Sequence, residues 1–161
     1  MPLIDLGRKA PAFTLVDQAG KTHRLADYAG RPVVLFFYPK DDTPGCTKEA
    51  CAFRDLLQSF TEHKAVVLGI SGQGEASKAK FARKYGLTFP LLADERYAIA
   101  EKYGVWQKKW LYGRTFMGVA RTTYLIGPDG KVLQRWDKVR VDGHAEEVLR
   151  ELELRTLKSE L

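Results

Sequence analysis

Cysteine is scarce: Cys46 and Cys51 are the two in 161 residues. They are too few to staple a chain of this length, so they serve either chemistry or nothing. Long apolar runs are absent as well. The longest is VVLFFY, Val33 to Tyr38, far short of the roughly 20 residues that cross a bilayer as a helix. Neither a spanning segment nor a membrane partner is expected. The three histidines, His23, His63 and His144, are scattered and none lies close in sequence to a cysteine. At most two obvious metal ligands exist, so no metal or cofactor is expected, and the histidines are expected as surface or capping residues. The first residues, MPLIDLGRKAP, lack the apolar stretch that follows the charges of a secretory signal. A cytoplasmic location is the default, although a transit peptide already removed would leave no trace. No internal repeat or low-complexity segment occurs.

What is present suits one globular domain, residues 1–161, since 45% apolar residues supply a sizeable core at this length. A formal charge of +6 raises the question of nucleic acid, which requires Lys and Arg gathered on one face. Here bases and acids interleave, as at Lys48–Glu49 and from Glu146 to Arg150, the pattern of an ordinary solvated surface. No nucleic-acid partner is expected.

Strand-length apolar runs alternate with helical periodicity, the order of an α/β sheet. AFTLVD and KTHRLAD flank Gln18-Ala19-Gly20 and predict a small opening hairpin. PVVLFFYP, closed by Pro39, predicts a central strand buried on both faces. From Thr47 the spacing turns helical, with Ala50, Phe53, Leu56, Leu57 and Phe60 three and four residues apart. AVVLGIS, Ala65 to Ser71, predicts a second buried strand, and Glu75 to Tyr85 a helix ended by Gly86. A short strand and helix are expected between Phe89 and Tyr103. RTTYLIG and KVLQRW, across Pro128-Asp129-Gly130, predict a hairpin, and His144 to about Leu157 a last helix. The order β-α-β then β-β-α is that of a thioredoxin-like fold: a central mixed β-sheet flanked by helices, here with an N-terminal hairpin extension.

The chemistry concentrates where the central strand passes into a helix, in FYPKDDTPGCTKEACAFRD. Cys46 falls in the first turn of that helix, where unpaired backbone N–H groups and the positive end of the helix dipole favour a thiolate. Thr43, one turn earlier, supplies a hydroxyl able to donate to it. Pro39 and Pro44 stiffen the intervening loop and withhold N–H donors. These residues define an activated thiol and nothing narrower; an inert core cysteine is the alternative they leave open.

P-x-x-x-T-x-x-C at Pro39, Thr43 and Cys46 resembles the active-site signature of the peroxiredoxins. With Cys51 five residues on, YPKDDTPGCTKEACAFRD is similar almost throughout to the Q-type, bacterioferritin-comigratory subfamily. KFARKYGLTFPLLAD, YGRTFMG, RTTYLIGPDGK and GHAEEVL extend the likeness to nearly the whole chain. The resemblance implies a thioredoxin-like fold and reduction of hydrogen peroxide and organic hydroperoxides. It implies Cys46 as the peroxidatic residue, oxidised to sulfenic acid, and Cys51 as the resolving residue that closes an intramolecular disulfide. Thioredoxin or a similar thiol reductant would then open that disulfide. Arg121, at the head of RTTYLIG, matches the family's active-site arginine, and with Thr43 it would hold the peroxide oxygens. Glu49, one turn beyond Cys46, would position Arg121 or else form an ordinary surface ion pair. With the resolving cysteine in the same chain, a monomer is the simpler expectation.

Five residues of α-helix separate two Cα atoms by roughly 8 to 9 Å, more than the about 7 Å that a disulfide tolerates. The helix is therefore expected to open before the cysteines join. A general thiol–disulfide reductase is the first alternative. It is disfavoured by four residues between the cysteines, where C-x-x-C is usual, and by Ala120 and Arg121 where a proline is expected. A non-catalytic binding module on the same scaffold is the second. The 16 residues from Val105 to Ala120 contain no acid and include Trp106, Trp110, Tyr112, Phe116 and Met117. A loop-rich stretch is expected there, one that packs into the core, walls an apolar peroxide site or serves as a contact surface.

Overall fold

In the computed structural model, which describes residues 1–158, the VVLFF run lies at the middle of the sheet. Before it stands the hairpin of β1 (Thr14–Val16) and β2 (Thr22–Arg24), paired antiparallel across the predicted turn. The central strand is β3 (Val33–Phe37), followed by α1 (Pro44–Asp55), α2 (Leu57–Glu62) and β4 (Val66–Ser71). Next come α3 (Glu75–Tyr85), β5 (Leu91–Ala93) and α4 (Ala98–Lys102). The chain ends with β6 (Trp106–Leu111), β7 (Arg114–Val119), β8 (Thr122–Ile126), β9 (Val132–Trp136) and α5 (His144–Leu157). Five strands form the main sheet in the order β5-β4-β3-β8-β9, with β3 parallel to β4 and antiparallel to β8. This is the mixed thioredoxin-like sheet that the alternation of runs predicts. No helix among the described residues is long and apolar enough to cross a membrane.

Because strand side chains alternate, β3 feeds two cores. Val34, Phe36 and Tyr38 join Phe53, Phe60, Phe81 and Leu152 on the side of α1, α2, α3 and α5. Val33, Leu35 and Phe37 join Phe13, Ile99, Tyr103 and Tyr124 on the other. Phe36 stacks on Phe53 of α1 at 4.7 Å, which seats that helix on the sheet. Gly69 of β4 makes room for the ring: a Cβ there would stand 2.8 Å from Phe36 Cζ. Burying a ring of this size contributes about 1.5–3 kcal/mol, so α1 is held chiefly by its middle and not by its first turn.

One feature agrees with expectation and one differs. α1 begins at Pro44, which puts Cys46 in its first turn as expected, although the apolar spacing starts only after Thr47. Thr43 is extended at the N-cap, and Pro44 takes the first helical position, where its fixed φ suits the helix and its missing N–H forfeits no bond. Val105–Ala120 is no loop. It forms an antiparallel ribbon of β6 and β7, paired from Trp106–Val119 to Leu111–Arg114 and hydrogen-bonded to neither other sheet. Its base packs, with Val105 and Val119 buried and Trp106 stacked on Tyr97 at 4.2 Å. Its outer half is exposed, so core packing does not account for Trp110, Tyr112, Phe116 or Met117.

Candidate active site

Antiparallel pairing sets Phe37 of β3 opposite Thr122 of β8, so the loop leaving β3 and the residue before β8 meet at one sheet end. From the first side come half-buried Pro39, Thr43 and the start of α1; from the second comes Arg121. Cys46 is a buried free thiol in the first turn of α1, and Cys51 is free and half-buried in the same helix. Arg121, 75 residues along the chain from Cys46, donates from Nη2 to Sγ at 3.4 Å and from Nη1 to Glu49 Oε1 at 2.8 Å. Gly45 allows this approach: a Cβ there would stand 3.2 Å from Arg121 Nη2. Thr43 donates its hydroxyl proton to the Lys40 carbonyl at 2.9 Å. Its proton is thus engaged, and the hydroxyl is left as an acceptor instead of the expected donor.

Glu49 is 1% exposed, which overturns its reading as a surface ion pair. Burial pushes its carboxyl up to about 7 against the charge and hydrogen bond of Arg121, and Oε2 has no hydrogen-bond partner among the described residues. Burial also works against the Arg121 charge, yet Glu49 and Cys46 outweigh it and hold the guanidinium above its ordinary value. Lys109 of β6 feels the same centre: burial and Arg121 pull its ammonium down, with Cys46 opposing.

Two histidines are likewise not superficial. His144, at the head of α5, hydrogen-bonds Thr123 Oγ1 at 2.8 Å and lies edge-on to Phe53 and Trp136. Burial, then the Arg121 charge, lowers it to about 4. His23 is buried between Asp17 and Tyr28. These buried settings, one among aromatic rings and one between hydrogen-bond partners, are not announced by a scattered His in sequence; His63, beside Glu153, stays near the surface.

Glu49 and His144 act oppositely on pH dependence. A carboxyl at about 7 when folded, against an ordinary 4.5, binds more protons folded than unfolded, so its contribution to stability falls as pH rises through that window. An imidazole at about 4, against 6.5, binds fewer, so its contribution falls as pH drops from 6.5 towards 4. In the native chain the two offset over their shared range. In Glu49→Gln, denaturant unfolding is expected to expose the His144 slope, with stability rising by about 1–3 kcal/mol across that range. A profile parallel to that of the native chain would contradict it.

A second buried cluster, which sequence spacing did not reveal, holds the loop that carries Thr43. Lys78 on α3 is 0% exposed and donates to Asp41 Oδ1 and Oδ2 at 3.1 and 3.3 Å and to Ser71 Oγ at 2.5 Å. Tyr38 donates to Asp41 Oδ1 at 2.6 Å, Ser77 to Oδ2 at 2.8 Å, and the Asp41 amide to Gln73 Oε1 at 3.0 Å. The ends of β3 and β4 and one face of α3 are thereby tied to Asp41, two residues before Thr43. Burial pulls the Lys78 ammonium down and Asp41 resists. Burial, then the Asp41 carboxylate, holds the Tyr38 hydroxyl well above its usual value, so it remains a donor at neutral pH.

A guanidinium donating to a buried thiol steadies charge on the sulfur and on whatever the sulfur attacks, which marks a cysteine-based oxidoreductase on a thioredoxin-like fold. Residues 6–135 match the AhpC/TSA family. The chain is 44% identical over 149 residues to peroxiredoxin Bcp of Bacillus subtilis, covering 92% of this chain and 95% of that protein. It is 47% identical over 146 residues to a putative peroxiredoxin bcp of Coxiella burnetii, covering 91% and 97%. A cysteine mutant of Xylella fastidiosa PrxQ superposes with a TM-score of 0.92 at 34% identity, over 97% of this chain and 99% of that one. The chain belongs to the AhpC/TSA family, among its Bcp/PrxQ peroxiredoxins. It is accordingly a peroxidase enzyme that reduces peroxides with electrons from a thiol.

Proposed function

We propose that Cys46 is the attacking thiolate and Cys51 its resolving partner, in a single domain spanning residues 1–161. It acts as a cytoplasmic monomer and is recycled by thioredoxin or a similar dithiol protein. Its substrates are hydrogen peroxide and organic hydroperoxides. The bacterioferritin comigratory protein of Xanthomonas campestris, described for alkyl peroxide reduction activity, supports the latter. It is similar at 37% identity with a TM-score of 0.88, over 94% of this chain and 99% of that one. The observation that carries the proposal is the Arg121 fork joining Cys46 Sγ to Glu49.

The sulfur attacks the terminal peroxide oxygen. An S–O bond forms as the O–O bond breaks, and the leaving oxygen departs with the electron pair and takes a proton as alcohol or water. Arg121 stabilises the charge moving onto that oxygen, Thr43 accepts from the peroxide O–H, Glu49 positions Arg121, and Pro39 holds the loop extended after β3. Cys51 then attacks the sulfenic sulfur, the S–S bond forms and water leaves. An external dithiol returns both cysteines to thiols by exchange. Acidity alone does not carry such a rate. Lowering a thiol pKa by about 2.5 units multiplies its thiolate at neutral pH by roughly thirty but cuts its nucleophilicity about tenfold. Most of the acceleration therefore falls to hydrogen bonds made in the transition state.

Both cysteines stand in the continuous helix α1, which keeps their Cα atoms roughly 8 to 9 Å apart. Resolution requires its first turns to open, a conformational step coupled to catalysis. Amide exchange is expected to show Thr47 to Phe53 losing protection after one equivalent of hydrogen peroxide, and no change in Cys46→Ser. Peroxide consumed with protection unchanged would refute the intrachain disulfide; peroxide left unconsumed would refute the assignment of Cys46.

A further inference from the structure

Five of the ten large apolar side chains that stand exposed among the described residues lie on the outer half of the β6–β7 ribbon: Trp110, Leu111, Tyr112, Phe116 and Met117. Trp110 is 71% exposed and Tyr112 90%. Pairing of Lys108 with Met117 and of Trp110 with Thr115 puts those four on one face, while Lys109, Phe116, Leu111 and Arg114 share the other. Each face therefore presents two large apolar side chains beside at least one cation. Apolar surface encircles the tip instead of covering one side.

The turn breaks its own rule. Tyr112 and Gly113 have φ of 51° and 77°, the geometry of a two-residue hairpin turn whose first place normally goes to Asn, Asp or Gly. An aromatic residue there is strained, and in this chain its exposed ring gains no burial in return. Local rules broken without a folding benefit mark functional positions. Charge adds a second bias: Val105–Ala120 carries Lys108, Lys109 and Arg114 and no Asp or Glu.

We propose that the ribbon is an interfacial anchor for an anionic lipid bilayer surface. A protein partner covers one face of a ribbon, whereas the headgroup layer surrounds an inserted tip on all sides, as apolar side chains on both faces require. Aromatic rings at the tip, with Arg114 beside the turn and Lys108 and Lys109 further back, are a composition that a lipid interface favours. The cations select anionic lipid. A second copy of this chain carries the same surplus of cations, which an anionic surface neutralises and a like-charged ribbon does not. The lack of a spanning helix bears on crossing a membrane, not on lying against one. The anchor does not depend on the roles given to the cysteines.

Cosedimentation of the full chain with phosphatidylcholine vesicles, with and without one-third phosphatidylglycerol, tests this beside the variant Trp110→Thr/Tyr112→Asn. Both replacements suit their strand and turn, and hydrogen peroxide turnover in solution, expected to be unchanged, verifies the fold. The native chain is expected to bind anionic vesicles at least about tenfold more strongly than neutral ones, less so as salt rises. The double variant is expected to lose about tenfold of that binding. Should it misfold, Arg114→Glu carries the test through charge, with a loss of about fivefold or more. Absent binding, or binding that the variants retain, overturns the proposal. So does a native dimer that the double variant dissociates, which would assign the ribbon to self-association. Unchanged vesicle binding with slower recycling by a protein dithiol would assign it to the reductant and equally overturn the proposal.

Discussion

Arg121→Gln is expected to slow the reduction of hydrogen peroxide by about two to three orders of magnitude while the protein stays folded. The guanidinium spans 3.4 Å to Cys46 Sγ and 2.8 Å to Glu49, so its fork is fixed before any peroxide arrives. A donor held this way stabilises charge on the departing oxygen without reorganising. Folding survives because Glu49, already raised to about 7, takes up a proton when its cation is removed. Rapid-mixing kinetics give the rate, and the pH dependence of Cys46 alkylation gives the thiolate fraction. The rate is expected to fall far more than that fraction. Equal falls would mean that Arg121 serves acidity and not the transition state. Arg121→Lys keeps a charge but replaces the planar fork of two nitrogens by a single nitrogen on a shorter reach, so it is expected to recover only part of the loss.

Lys78→Met is expected to cost about 3–5 kcal/mol of folding stability, a large share of what a domain of this size possesses. The loss is not that of a surface charge. Asp41 would keep the bonds from Tyr38 and Ser77 but face the interior without a cation. Urea unfolding measures this, and Lys78→Met/Asp41→Leu supplies the control. Removing both charges is expected to restore part of the stability, because the penalty comes from the stranded carboxylate. A cost below about 1 kcal/mol for the single change would show the pair to be dispensable. Peroxide attack is expected to slow with it, since Asp41 pins the loop that leads to Thr43 and Cys46.

Much of the architecture was legible because each local signal agreed with its surroundings. PVVLFFYP fitted a strand covered on both faces, and Gly86 takes the left-handed turn, φ 64°, that ends α3. The first turn of α1 was placed at Cys46 from the strand-to-helix junction, although apolar spacing begins only where the helix meets the core at Ala50 and Phe53. Thr43-Pro44, an N-cap residue followed by proline at the first helical position, fixes where it starts. The β6–β7 ribbon was missed because neither face meets the core over its outer half, so no alternation of apolar and polar residues was written there. Tyr112 in place of Asn or Asp concealed the turn.

Within the site, Cys46, Thr43 and Arg121 could be placed from the motif and the family likeness, and antiparallel pairing of β3 with β8 explains why so distant an arginine arrives. Glu49 was ambiguous because a carboxylate one turn along a helix faces either the core or water, depending on what packs against that face. Lys78 gave no signal of its own in sequence. Its partner Asp41 lies 37 residues away, and only the fold brings the two together. The histidines follow the same logic, for His144 is buried by Phe53 and Trp136, which are remote from it in sequence.

The most direct test of the peroxidase chemistry is intact mass after one equivalent of hydrogen peroxide, with residual peroxide measured, for the reduced native chain, Cys46→Ser and Cys51→Ser. The native chain is expected to consume the peroxide and lose two hydrogen masses, Cys51→Ser to consume it and gain one oxygen, and Cys46→Ser to leave it untouched. Slow and equal oxidation of all three would contradict the account and leave the buried thiol without a catalytic role.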